Sequence, residues 1–516
     1  MTKQTFIRGT FMLIIAGMIT RLLGFVNRIV VARLIGEEGV GLYMMALPTL
    51  FLLITVTQIG LPIAISKRVA EANANQDTFK IKQIISVSIL IIACTSIVFT
   101  ISMFFLAPFV ANYLLTDVRT LYPLIAVTPV IPIIALSSII KGYFQGMQNM
   151  KPQSVAIVIE QAVRIAIVFI LVTILLPYGI EFAAAGAMTS VVIGELASLI
   201  YLIIIFKRNK IIPVRKQFFS FVRNSATTRQ QMMSIALPNT GSKLVSSFAN
   251  FFEPIIVAQS LAIAGYTTNQ ATGQYGELTG YAMPLLYLPT FITNSLSIAL
   301  VPSISEAAAK NDKILVHNRI HQAIRISFAS GALATIILSF FSIPILTYMY
   351  DTSNASRYII FMAPFFLLLY IQAPLQSALF GLDLAKEAMW NSIIGSIFKF
   401  ITLFFLASNE KIGIMGVAIS LSATVVLITV LHLSILYKHI RFTFRLTDLV
   451  KMAILLVATG TASLLMKRLF SSYTDSLISF IFALVALTIF YVFLLMILRF
   501  ITRDELKQIP YINRFL

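Results

Sequence analysis

Long uninterrupted apolar runs constrain this chain more than any other feature. Pro129–Leu136, Ile165–Leu176 and Ile478–Leu498 are examples, the last broken only by small or hydroxyl residues. A helix rises 1.5 Å per residue, so about 20 mostly apolar residues cross a hydrocarbon core of roughly 30 Å. The runs show no period-two alternation, and in lipid each backbone amide must be satisfied within its own segment. Helices are therefore expected rather than a β-barrel. Composition agrees: of 516 residues, 58% are hydrophobic and 11% charged, against about 25% charged in soluble domains. The expected fold class is an all-α integral membrane protein.

About fourteen spans are expected, at 11–33, 42–66, 84–108, 121–145, 154–176, 184–206, 232–262, 279–302, 323–343, 357–381, 388–407, 412–437, 449–466 and 477–499. The first stretch lacks a small-residue cleavage site and leads directly into further spans, so it reads as a span and not as a cleaved signal. Cys94 is the single cysteine and lies inside an apolar run, which predicts a buried small hydrophobe without disulfide or redox chemistry within one chain.

The net charge of +19 would suggest nucleic acid in a soluble protein. Here the loops of one side hold nearly all of it: Lys67, Arg68, Lys80, Lys82, Lys141 and Lys151, the run from Lys207 to Arg229, and Lys438 to Lys451 with both termini. Cytoplasmic loops retain lysine and arginine, so both termini are expected in the cytoplasm, and no nucleic-acid partner is needed to explain the charge.

The halves of the chain resemble each other. Gly41-Leu-Tyr-Met-Met-Ala-Leu-Pro48 running on to Gly60-Leu-Pro62 matches Gly280-Tyr-Ala-Met-Pro-Leu-Leu-Tyr-Leu-Pro289 running on to Leu300-Val-Pro302. Gly146-Met-Gln-Asn-Met-Lys151 matches Gly381-Leu-Asp-Leu-Ala-Lys386 at an offset of 235, which also sets Arg164 over Lys399. Ala185-Gly186 matches Met415-Gly416. Six spans per half is an even number, so the repeats enter the membrane alike and predict two parallel six-helix lobes around a central cavity, as in transporters that rock two bundles about one site. The expected divisions are an N-terminal lobe 1–206, a basic cytoplasmic linker 207–231, a C-terminal lobe 232–448, and an appended helix pair with a cytoplasmic tail at 449–516.

Charges within spans point to the cargo. An unpaired charge in hydrocarbon costs at least about 2.5–3.5 kcal/mol, so it needs a wet cavity or a partner. Arg21 and Arg28 lie two turns apart on one face of the first span, with Asn27 adding a polar group. The seventh span carries Asn239, Lys243, Ser246, Asn250 and Glu253 at helical spacing. Glu160 and Arg164 stand at i and i+4, where an ion pair within the helix is available, so they line the cavity or pair structurally. Lys399 follows Ser392 and Ser396, and Glu195 and Arg325 are further candidates. The basic members outnumber Glu160, Glu195 and Glu253, which favours an anionic cargo gripped by charge-assisted hydrogen bonds. His317 and His321 read as a cytoplasmic surface pair without a metal-ligand set around them. No hydrolytic triad, phosphate-binding glycine loop or zinc spacing appears, so neither an enzyme nor a bound cofactor is expected. Moving an anion outward against a negative interior costs about 2.3 kcal/mol per charge per 100 mV, which calls for a coupling ion.

The segment Ile19-Thr-Arg21-Leu-Leu-Gly24-Phe-Val-Asn27-Arg28-Ile-Val-Val-Ala32-Arg33-Leu-Ile-Gly36 resembles the opening signature of the multidrug/oligosaccharidyl-lipid/polysaccharide exporter superfamily. With Gly60-Leu-Pro62-Ile-Ala-Ile-Ser-Lys67 and Lys141-Gly-Tyr-Phe-Gln-Gly146 it is similar to the branch of polysaccharide exporters and peptidoglycan lipid II flippases, and within it resembles sporulation members of endospore-forming bacilli. The resemblance covers essentially the whole chain. It implies alternating access, a lipid-linked saccharide substrate, and spore cortex synthesis at the cell membrane among membrane lipid and peptidoglycan synthesis proteins. It also implies that Arg21 faces the cavity and is needed for transport, and that the appended pair offers a groove for the lipid tail. A second flippase arginine falls at Asn27 and an aspartate at Arg28, a departure that leaves open whether Arg28 replaces the missing charge and whether the headgroup is held identically. Flippase sodium ligands come from acids of the seventh and eleventh spans. Glu253 is available to hold sodium or a proton, but 388–407 contains no acid. Two other functions fit less well: a cation-coupled multidrug antiporter, which calls for a carboxylate-dominated cavity, and a non-transporting scaffold for the peptidoglycan machinery.

Overall fold

The computed structural model describes residues 3–208, 225–469 and 477–500, with side chains from Gly17 onward apart from positions 238, 239, 242 and 469. Most of the expected linker and the C-terminal tail lie outside the described residues. All regular structure within them is helical. Among the described residues twelve helices are long and apolar enough to cross a membrane, or thirteen if the bent pair Thr268–Tyr287 and Thr290–Ala309 makes one span.

Two differences from the expected spans have physical causes. The segment 11–33 and most of 42–66 fall within α1 (Lys3–Gln58), a single helical run whose one non-helical residue is Gly36, with φ 65° and ψ −176°, and the end of the second segment runs on into the helix Leu61–Ala74. The turn uses one residue that tolerates positive φ, so the helical run continues through the acidic Glu37 and Glu38 that separate the two segments in the sequence. The segment expected at 279–302 extends from Thr268 to Ala309 with a bend of 52°. Its first turns read Thr-Asn-Gln-Ala-Thr-Gly-Gln, too polar for hydropathy to register as a span.

The chain forms two compact units, residues 1–276 and 277–516. In unit 1, α1 is followed by α2 (Leu61–Ala74), α3 (Thr78–Phe109), α4 (Leu121–Val127), α5 (Val130–Gly146), α6 (Lys151–Leu175), α7 (Ile180–Arg208), α8 (Ala226–Ile263) and α9 (Thr268–Gly276). Leu61, Ile65, Ile84, Tyr143, Phe144, Leu202, Phe206 and Ala236 form its core. The Tyr143 and Phe206 rings meet edge to face with centroids 5.1 Å apart, a favoured aromatic geometry. Helix α8 packs against α1 and α2: Thr55 and Ser247 hydroxyls lie 3.0 Å apart, and Arg68 donates to the Gln231 carbonyl at 3.3 Å.

Unit 2 contains α10 (Met283–Tyr287), α11 (Thr290–Ala309), α12 (Lys313–Tyr350), α13 (Ser356–Gly381), α14 (Ala385–Ala407), α15 (Ile414–Ile440), α16 (Leu446–Leu469) and α17 (Leu477–Ile497). Its core includes Ile304, Ile320, Ile324, Leu375, Leu436, Leu455 and Tyr491. The last pair packs on α12, where the buried Tyr491 hydroxyl donates to the Ala329 carbonyl.

Matching positions make matching contacts in the two units. A methyl on Gly146 would meet Ser66 O and Val69, and one on Gly381 would meet Val301 O and Ile304. A methyl on Gly186 would meet Leu171 O, and one on Gly416 would meet Leu406 O. The contact at α2 and α11 keeps the offset of 235, five residues from the register of 240 that pairing Pro62 with Pro302 would give.

Large apolar side chains also cover the outside, among them Phe105, Phe169, Ile174, Phe482 and Phe493. A soluble surface would not tolerate them, whereas lipid does. Cys94 belongs to that exterior: it is exposed on α3 and not buried. An apolar neighbourhood predicts burial in a soluble protein, but in a membrane helix the outer face is as apolar as the core. His321 departs from expectation in the opposite direction. It is buried, its ring centroid 4.8 Å from Phe442 and its Nδ1 3.8 Å from Asp448, because the segment after α15 folds back over α12.

Candidate functional site: intramembrane charges of unit 1

Helix α1 presents Arg21 and Arg28 on its exposed surface, while Asn27 is turned inward and only 6% exposed. The stripe on α8 leaves Lys243, Ser246 and Asn250 exposed, with Glu253 half-buried within electrostatic reach of the buried Tyr275 on α9. The Asn239 side chain lies outside the described residues. Lys399 lies in unit 2 on α14, its ammonium 5.2 Å from the Phe400 ring centroid. Ser392 and Ser396 donate to the carbonyls of Ala388 and Ser392, so both hydroxyls are engaged by their own helix. Arg325 is half-buried on α12.

The available i, i+4 pair on α6 is formed: Arg164 Nη2 stands 2.5 Å from Glu160 Oε1, with side chains 17% and 9% exposed. Gln161 Nε2 donates to the same oxygen at 3.2 Å. Two residues from other helices join them. Glu195 on α7 brings its carboxyl within hydrogen-bonding reach of Glu160, and Lys141 on α5 places its ammonium 3.8 Å from Glu195 Oε2. Gly194 permits this approach, since a methyl there would stand 2.9 Å from the Glu160 carbonyl oxygen. Loop assignment had placed Lys141 with the cytoplasmic charges. Its link to Glu195 joins positions 54 residues apart, which local spacing cannot reveal.

A second ionic group was not foreseen. Asp117 accepts from Arg119 at 2.8 Å and from the Thr272 hydroxyl at 2.7 Å, and Arg119 also reaches Glu38 at 2.6 Å. Close beside it, α1 and α9 cross where methyls on Gly41 or Gly276 would stand 2.0 Å from Thr272 O or Glu37 O. Unit 2 has a similar pair, Arg357 with Glu277 at 3.0 Å. The sequence signal, overlooked, is that Glu38 and Glu277 precede the matched Gly41 and Gly280 by the same three positions. Among the described residues no group of three or more His, Cys, Asp or Glu is placed to hold a metal ion.

Residues 6–308 match the family model described as polysaccharide biosynthesis protein, and 246–405 match the MatE model. The chain is 50% identical over 516 residues to Stage V sporulation protein B of Bacillus subtilis (strain 168), covering 100% of each chain. It is 23% identical over 421 residues to Lipid II flippase MurJ of the same organism, covering 77% of this chain and 76% of the relative. Among solved structures, Lipid II flippase MurJ in an inward closed conformation superposes with a TM-score of 0.69 at 17% identity, covering 94% of this chain and 98% of that one. An inward-facing multidrug resistance MATE family transporter gives 0.67 at 15% identity, covering 82% and 94%. The chain belongs to the polysaccharide biosynthesis protein family.

Proposed function

We propose that this protein carries a lipid-linked saccharide precursor of peptidoglycan across the cell membrane during sporulation, by alternating access. Full-length 50% identity to Stage V sporulation protein B supports the setting, and likeness to Lipid II flippase MurJ supports the substrate class. The observation that carries the chemistry is the pair Arg21 and Arg28, exposed on one face of α1 within a membrane-spanning run. Guanidinium groups there are costly in lipid and useful in a wet cavity that grips phosphate oxygens. Lys243 and Asn250 on α8 extend that surface, and Arg28 supplies the charge that Asn27 lacks.

In this reading residues 1–206 and 232–448 are two six-helix lobes joined by the cytoplasmic segment 207–231, with 449–516 appended. The like contacts of Gly146 and Gly381 support the repeat. A turn at Gly36 splits Gly17–Ala74 into two spans, which with the bent pair restores fourteen. Both termini face the cytoplasm, and sodium or a proton couples the cycle, with Glu253 one candidate to hold it. A multidrug antiporter shares the fold, but the exposed basic pairing suits an anion.

Reconstitution tests the proposal directly. Liposomes holding the full chain and lipid II should move the lipid to the far leaflet, and Arg21→Ala should lose this activity at normal membrane abundance. Arg21→Lys keeps the charge but not the two-pronged donor set, and should retain a fraction. Full activity of Arg21→Ala would remove the site assignment and weaken the choice of an anionic cargo over a drug.

A further inference from the structure

The charge group shared by α5, α6 and α7 has an imbalance. Glu160 Oε1 takes two donors, from Arg164 and Gln161. Glu195 Oε2 accepts no hydrogen bond, and the Lys141 ammonium at 3.8 Å is too distant to supply one. Gln161 Oε1 and, on α1, Asn27 Oδ1 are also buried without a donor. All three residues are at least nine-tenths buried: Glu195 7%, Gln161 7% and Asn27 6% exposed. Gly24, one turn before Asn27, brings α1 beside Gln161, its methyl position lying 3.8 Å from Oε1. Arg164 Nε is likewise buried without an acceptor, so donors and acceptors are poorly matched where two carboxyls adjoin, and Glu195 Oε2 is the carboxyl oxygen left unmet. An unmet buried acceptor costs about 1–3 kcal/mol, more if charged.

We propose that the Glu160–Glu195 carboxyl pair is a proton-binding site within unit 1, with Lys141 and Arg164 as fixed counter-charges. One proton from water turns the Glu195 carboxyl into a donor, which the second oxygen of Glu160 or Oε1 of Gln161 accepts. The same proton removes one of two adjoining negative charges that cannot both be comfortable out of water. A metal cation fits less well, because the ammonium and the guanidinium already occupy the group with positive charge. The groups facing the pair are Lys141 from α5, Arg164 and Gln161 from α6, and Gly24 from α1, whose own charges Arg21 and Arg28 are exposed. Because Gly194 holds α6 and α7 in close contact here, gain or loss of this proton acts directly on the packing of the two helices.

The test reads the carboxyls with no substrate present, so it stands or falls apart from the saccharide proposal. Infrared difference spectra of the full chain in lipid nanodiscs, titrated with alkali in potassium buffer, should show loss of one protonated-carboxyl carbonyl band. Glu195→Gln should lack that band, and Glu253→Gln should keep it. If Glu195→Gln does not yield folded protein, Glu160→Gln decides in its place, since removing either partner abolishes the shared proton. Lys141→Met should move the midpoint to higher pH, because the carboxylate form loses its nearest cation. Persistence of the band in both glutamine variants overturns the assignment. So does a band lost on adding sodium but not potassium at constant pH, which would make the pair a metal site.

Discussion

The α5–α7 group of unit 1 and the α13–α15 group of unit 2 occupy corresponding stretches of the repeat, yet their interiors differ in kind. At the offsets 235 and 230 set by the matched glycines, Lys141 corresponds to Gln376, Glu160 to Gly395, Arg164 to Lys399, Gly194 to Thr424 and Glu195 to Val425. Where unit 1 joins two carboxyls with two cations, unit 2 packs Gly395 against Ile428, with a methyl position 2.5 Å from it. On these helices of unit 2 a buried polar contact is instead made between an amide and an imidazole, Asn391 with His432 at 2.8 Å. It sits at the positions of Ala156 and Leu202 in unit 1, both fully buried and apolar. The matched helices of unit 2 therefore pack without the carboxyls. A fold that does not need buried ions keeps them for another reason, since an apolar replacement is often neutral or stabilising.

The largest effect should come from stranding one member of the charged group. Arg164→Ala leaves Glu160 and Glu195 facing each other, and the loss should reach about 3 kcal/mol, the lower end for breaking a buried pair. Lys399→Ala, its counterpart, should cost under about 1 kcal/mol, because the positions that match Glu160 and Glu195 are Gly395 and Val425 and hold no carboxyl pair to strand. Thermal melting of the purified proteins, with membrane abundance beside it, compares the two. Equal losses would break the distinction between the units.

The residues that pair locally were legible in the sequence, and those that pair at a distance were not. Spacing alone gave Glu160 with Arg164, since i and i+4 lie on one helix face. Nothing local joins Lys141 to Glu195, or Asp117 to Thr272, 155 positions apart. The spans were legible wherever hydropathy changed at their ends. The break at Gly36 falls between the expected spans 11–33 and 42–66, beside the acidic Glu37 and Glu38, whereas the start at Thr268 was not legible, because there a polar stretch is helical. Cys94 and His321 were misplaced for a shared reason. Polarity reports burial only when the outside is water, so an apolar context did not bury the cysteine and a polar ring was not held at the surface.

A middle-sized effect should follow from exchanging the small residue at the helix crossing. Gly194→Thr places a methyl position 2.9 Å from the Glu160 carbonyl oxygen and 3.2 Å from Arg164 Cβ. The helices must separate, at a cost of about 2 kcal/mol. Thr424→Gly removes a side chain whose Cγ2 lies 3.7 Å from the Gly395 methyl position, and should cost about 1 kcal/mol, mainly helix propensity. Melting measurements that gave Thr424→Gly the larger loss would show that the close crossing belongs to unit 2 instead.

The smallest effect should be seen when the polar contact of unit 2 is replaced by its unit 1 counterparts. His432→Leu alone leaves the Asn391 amide, 4% exposed, facing an apolar side chain, and should lose about 2 kcal/mol. Asn391→Ala added to it removes the stranded group and installs the alanine and leucine that unit 1 uses at Ala156 and Leu202. The double variant should then lie within about 1 kcal/mol of the parent, since removing both partners of a buried hydrogen bond costs less than removing one. A double-variant cycle on melting in detergent measures the coupling between the two positions. If the two losses simply add, the contact is not a self-contained pair, and the apolar solution of unit 1 does not transfer to unit 2. If they largely cancel, the matched helices accept the same apolar interior, and the charged group beside Glu195 stands out as the one polar departure that packing does not require.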